Sequence, residues 1–199
     1  MDGSDEACRR APPLLVIVSG APGSGKTTLA QRLGSELGLP ALSKDSFKEV
    51  LYDTVGAADQ ASSQRLGMAA LALLSAVAGC VLAAGTSILI EANYQRGLAE
   101  ASLGPLVRQA QTLLVHCGGD TDTIVRRYLE RAARGERHPD HHDRDALPRL
   151  RRLLSAQAYE PLELGVPVLR VDTTTSAEYA PDFAAILRFV RGPLVSHAW

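Results

Sequence analysis

The sequence predicts an α/β fold of three layers, with helices on both sides of a parallel sheet of about five strands. Three observations carry this reading. Apolar runs such as "LLVIVS" and "TLLVHC" are continuous rather than alternating, as strands covered on both faces require. Segments with helical spacing of leucine and alanine separate those runs, so successive strands are joined by right-handed crossovers. The first strand then breaks into a glycine-rich turn that leads directly into a helix.

The elements follow in order. Leu14–Ser19 is the first strand, bounded by Pro13 and Gly20. "KTTLAQRLGSELG" has Leu29, Leu33 and Leu37 four apart and stops at Gly38, which makes an amphipathic helix. A short strand near Ala41–Leu42 precedes a helix capped near Ser43 or Asp45. A long apolar helix covers about Ser62–Ala84, and Ser87–Ile90 is the next buried strand. "RGLAEASLGPLVRQA" is a further helix with a weak point at Gly104–Pro105. Gln111–Cys117 is a strand, and the helix after it opens on Asp120 or Asp122. A helix over Leu147–Tyr159, the strand "VPVLRVDT" and a closing helix with Pro181 near its first turn complete the chain.

At 199 residues the chain fits one domain, 14–199, preceded by a polar tail, 1–13, that carries no signal pattern. Its formal net charge of −1 gives no general attraction to nucleic acid or to an anionic membrane. Three separated cysteines without a CxxC pair suggest neither a disulfide framework nor a zinc site, which fits a cytoplasmic protein. No charged residue occurs from Leu66 to Ile90. A buried helix and strand in series account for that run better than one membrane span. Oligomeric state is left open.

The loop "GAPGSGKTT" comprises Gly20, Ala21, Pro22, Gly23, Ser24, Gly25, Lys26, Thr27 and Thr28. It matches G-x-x-x-x-G-K-[ST] (the Walker A pattern) in its required place between strand and helix. Its glycines let successive N–H groups aim at phosphate oxygens, and the helix start adds positive potential. Lys26 can reach the β- and γ-phosphates of a nucleotide, and the Thr27 hydroxyl can ligate Mg²⁺. ATP with Mg²⁺ is the expected cofactor.

Downstream residues separate transfer from hydrolysis or switching. The base-reading Asn-Lys-x-Asp of GTPases is absent, as is a strand ending in adjacent acids. Asp45, at the carboxyl end of the second strand, can accept a proton from an attacking hydroxyl. It can also cap the helix that follows, and the two roles are compatible. Lys48, one turn on, can hold Asp45 ionised, touch a transferred phosphate, or stand in solvent.

The segments "GAPGSGKTT", "SKDSFKEVL", "TSILIEANYQRG" and "VRRYLERAARG", in this order, resemble the small P-loop kinases related to phage polynucleotide kinase and chloramphenicol phosphotransferase. The resemblance spans about Val16–Gly135 and implies a P-loop fold with a helical lid over about 127–147. It implies that Asp45 is the catalytic base and Lys48 a basic residue near the acceptor. Glu91 and Asn93 then match the acidic and amide positions after the third strand; the family more often has aspartate at the first. Glu91 could orient Lys48, contact Mg²⁺ from its second shell, or cap the next element. Arg127 and Arg131, four apart on one helix face, match the lid arginines that grip phosphate.

From Arg126 to Arg152 nine arginines stand against five acids, the kind of charge that stabilises a transferring phosphoryl group. His138, with His141 and His142, is expected in a lid loop facing substrate, while loose spacing argues against a metal site. The expected activity is phosphoryl transfer from ATP to a hydroxyl of a small molecule: an antibiotic, nucleoside or sugar-like acceptor. A polynucleotide 5′-hydroxyl, a sugar nucleotide in a toxin-like setting, and a regulatory protein without phosphotransfer are the alternatives. Low basicity and few aromatics argue against the first of these.

Overall fold

The computed structural model describes residues 11–134, 143–175 and 178–195. Its elements, in chain order, are β1 (Leu14–Gly20), α1 (Lys26–Leu37), β2 (Ala41–Ser43), α2 (Lys44–Val55), α3 (Gln60–Ala83), β3 (Ile88–Ala92), α4 (Glu100–Val107), β4 (Gln111–Gly118), α5 (Thr121–Arg134), α6 (Asp143–Ser155), β5 (Val168–Asp172) and α7 (Phe183–Val195). The five strands form one sheet in the order β2-β3-β1-β4-β5. Every pairing between strands is parallel. The three-layer α/β reading therefore holds.

β1 is central and buried at all seven positions, which is why its sequence shows no polar alternation. Its side chains divide the interior. Leu15 and Ile17 join Ile88, Ile90 and Leu114 against Leu74, Ala78 and Leu82 of α3 and Leu103 of α4. Val16 and Val18 join Leu89 and Val115 on the other face, against Leu29 and Leu33 of α1 and Ile186 of α7. Each fully buried leucine contributes about 2 kcal/mol of transfer free energy, so two continuous layers suffice to hold the sheet rigid. A third cluster joins two helices to the phosphate loop: Ile124 and Tyr128 of α5 and Leu150 of α6 pack on Ala21.

Local signals set the helix boundaries. Ser43, rather than Asp45, caps α2, accepting from the Asp45 N–H at 3.2 Å. α3 opens at Gln60, two residues before the expected start, because Asp59 and Ser62 form a reciprocal capping box. Asp120 caps α5, accepting from the Thr123 N–H at 2.8 Å. α4 begins only at Glu100 and runs through Pro105 without a break. α6 is shifted toward the N-terminus of its expected span; Gln157, at φ 53°, helps end it ahead of Tyr159. Pro181 precedes α7, whose first turn is capped by Asp182 accepting from the Ala185 N–H at 2.7 Å. α3 is long and apolar enough to cross a membrane by length and composition alone. Here its Leu66, Ala70, Leu74, Ala78 and Leu82 stripe is buried in the protein.

Candidate active site

The topology brings the carboxyl ends of all five strands to one edge, where α/β proteins bind ligands. The glycine-rich loop between β1 and α1 sits at its centre. Gly23 has φ 94°, and a Cβ there would lie 2.5 Å from the Ile124 carbonyl. A Cβ at Gly20 would lie 2.2 Å from the Cys117 carbonyl. Both positions need glycine because backbone from β4 and α5 presses against the loop. The Thr173 hydroxyl, just past β5, lies 2.8 Å from the Ser24 carbonyl and 2.9 Å from that of Gly118. It ties the loop to the ends of β4 and β5.

Lys26 is buried in the first turn of α1, its Nζ 3.6 Å from Glu91 Oε1. The Thr27 hydroxyl donates to Glu91 Oε2 at 3.2 Å. Glu91 is itself buried at the end of β3, and β3 pairs directly with β1, which is what aims its carboxylate at α1. Of the roles open to Glu91, its contacts are those of a residue behind the phosphate loop. Lys48 donates to Ser63 Oγ of α3 at 2.9 Å.

Asp45 lies in the first turn of α2, beyond β2, with Lys44 Nζ 3.2 Å from its Oδ1. Lys26, Thr27 and Asp45 line one cavity of about 760 Å³, together with Pro22, Lys48, Asn93 and Arg131. Its volume falls within the usual range for small-molecule sites. α3 supplies a wall: Gln60, Ser63, Gln64, Gly67, Met68, Leu71, Ala72 and Ser75. The architecture implies an acceptor pocket built from helix side chains around 47–70 and 94–100, but the individual positions are not readable from sequence. The α3 positions fall on a single helical face, so the available signal was the polar residues at 60, 63, 64 and 75 on that face.

Arg127 and Arg131, expected from the resemblance to grip phosphate together, make different contacts. Arg127 donates to the Thr173 carbonyl at 2.6 Å and to the Thr174 carbonyl at 3.0 Å. Arg131, one turn later, lines the cavity. Tyr159, also unassigned from sequence, hydrogen-bonds the Asn93 and Gln95 side chains; burial nevertheless raises its pKa. On β4, burial pushes His116 down to about 4 and Cys117 up to about 12, so both stay uncharged at neutral pH. His138, expected at the substrate, lies outside the described residues with His141 and His142. Among the described residues no group of three or more His, Cys, Asp or Glu could hold a metal ion.

The residues present suit a magnesium nucleotide. The cradle at Gly20 and Gly23 has space only for a side chain of hydrogen, leaving backbone at the floor of a phosphate site. Thr27 and Glu91 offer hard oxygen atoms beside it, the donors Mg²⁺ prefers.

Comparison with known proteins places the fold. The family model described as an AAA domain matches residues 15–156. A crystal structure of a "putative kinase" from Chloroflexus aurantiacus J-10-fl is 38% identical, with a TM-score of 0.82, covering 94% of this chain and 100% of that one. A sugar kinase from Janibacter sp. HTCC2649 is 20% identical at a TM-score of 0.58, covering 94% and 96% of the two chains. A gluconokinase from Sinorhizobium meliloti 1021 is 16% identical at a TM-score of 0.51, covering 94% of each. These last two show a shared fold. No curated protein matches. The chain belongs to the AAA domain family, with the P-loop fold of a small kinase.

Proposed function

We propose that the protein is an ATP-dependent kinase that phosphorylates a hydroxyl of a small molecule. One observation carries the reading: Asp45 and the Lys26–Thr27 pair line the same cavity, so a base and a phosphate cradle address one space. ATP·Mg²⁺ would supply the γ-phosphoryl group, held on the amides of residues 20–28 and by Lys26. Asp45 accepts the proton of the acceptor hydroxyl as its oxygen attacks. Lys26 and Arg131 offset the negative charge on the phosphoryl oxygens during transfer. Arg127 acts at the opposite end, shaping the Thr173–Thr174 loop through its two carbonyl contacts.

The Chloroflexus relative supports a kinase, and the sugar kinase and gluconokinase that share the fold are consistent with a polyhydroxylated acceptor. A screen of nucleosides, sugars, antibiotics and oligonucleotides, scored by acceptor-stimulated ADP release, tests the proposal. The expected result is stimulation by a small alcohol and none by oligonucleotides. Slow hydrolysis that no acceptor stimulates would leave a nucleotide-binding protein without phosphotransfer.

A further inference from the structure

Five cationic side chains from four helices line the cavity: Lys26, Lys44, Lys48, Arg131 and Arg149. Among the described lining residues the only carboxylate is Asp45, and its Oδ1 lies 3.2 Å from Lys44. This concentration of positive charge sits in a chain of formal net charge −1. A concave site lined by one sign of charge focuses its field on whatever enters.

The nucleotide accounts for only part of that charge. Lys26 belongs to the phosphate loop, and Arg131 follows Arg127 on α5. Arg127 marks the β4–β5 side through Thr173 and Thr174. Arg149 comes from a different helix, α6. It acts electrostatically on Tyr159, whose hydroxyl is tied to Asn93 and Gln95 just past β3. β3 is the neighbour of β2, and β2 leads into Lys44, Asp45 and Lys48. Arg149 thus lines the same cavity as Asp45 and is linked through Tyr159 to Asn93 and Gln95 just past β3.

We infer that the acceptor is an anionic alcohol, carrying a carboxylate or a phosphate monoester, and that Arg149 of α6 reads this anionic group. The inference rests on the proposed kinase reading for the hydroxyl at Asp45. Lys44 shields an incoming acid from the charge of Asp45, the carboxylate among the described lining residues. The neutral side chains of Ser63, Gln64, Asn93 and Gln95 suit the remaining hydroxyls. An amino alcohol would instead meet like charge on several walls, which disfavours it without any steric clash.

The test uses the full chain saturated with Mg²⁺ and a non-hydrolysable ATP analogue, titrated calorimetrically with sorbitol, glucosamine, gluconate and sorbitol 6-phosphate. At least one of the two acids should bind about tenfold or more tighter than sorbitol, with glucosamine weakest; which acid wins distinguishes carboxylate from phosphate. The preference should shrink as salt rises from roughly 50 to 300 mM. Arg149→Gln should remove most of it while sorbitol binds variant and wild type alike. Sorbitol or glucosamine binding as tightly as the acids, no binding of either acid, or an intact preference in Arg149→Gln would overturn the inference. ADP release in parallel with ATP separates the two claims. Acids that bind without stimulating release contradict the kinase reading alone, whereas equal stimulation by sorbitol contradicts the anionic acceptor alone.

Discussion

The Thr27 hydroxyl donates to Glu91 across the β1–β3 boundary at 3.2 Å, joining the helix that starts the phosphate loop's far side to the end of the neighbouring strand. The same carboxylate lies 3.6 Å from Lys26, so one buried acid orients both side chains on which phosphate chemistry depends. Glu91→Gln keeps the shape and removes the charge. Turnover should fall about 10- to 100-fold and the Mg²⁺ concentration for half-maximal rate should rise, as for lost outer-shell support. A magnesium titration of steady-state rate checks this.

The partition of the lid arginines makes a second pair of outcomes. Arg131→Ala should lower kcat about 100-fold or more, with a smaller change in the KM for ATP, because its charge counts most on the transferring group. Arg127→Met should instead raise that KM several-fold and leave kcat within about threefold, since it frees two carbonyls of the Thr173–Thr174 loop. Initial-rate kinetics on both variants separate the roles.

Gly23→Ala should weaken nucleotide binding at least about tenfold. The substitution puts a Cβ 2.5 Å from the Ile124 carbonyl at φ 94°, so either the loop or α5 must move. Titration with a fluorescent ATP analogue measures the loss, and an unchanged affinity would show that the cradle tolerates such a shift.

Much of this arrangement was legible in the chain. β1, β3 and β4 announced themselves because burial on both faces leaves no polar alternation to confuse with a helix. The phosphate loop was legible because its glycines, lysine and threonine are constrained by local geometry alone. The true cap of α2 was harder to assign, since Ser43 and Asp45 are both good capping residues and only coordinates choose. Arg127 and Arg131 look equivalent in sequence, four apart on one face. They differ because a loop 46 residues away offers carbonyls to the first, while the second lines the cavity. Which side chains of α3, and which of the arginines between 126 and 152, face the cavity was not legible for the same reason: no spacing rule says which face of a helix will meet a cavity built by other elements.

Acid should erode stability through His116. Its folded pKa is depressed to about 4 from 6.5, so the unfolded chain takes up a proton that the buried imidazole refuses. Stability from this group is fully present above pH 6.5 and is lost as pH falls toward 4, with a slope that approaches about 1.4 kcal/mol per pH unit. His116→Gln should flatten that part of a urea-unfolding profile against pH. A profile identical to wild type would place the acid sensitivity elsewhere.

The central claim is that the Asp45 carboxylate takes the proton of an alcohol while other groups hold the nucleotide, and Asp45→Asn addresses it most directly. With an acceptor in hand, kcat for ADP release should fall about 1,000-fold or more while ATP affinity stays within about twofold. Turnover near the wild-type rate at undiminished ATP affinity would contradict the assignment of the base.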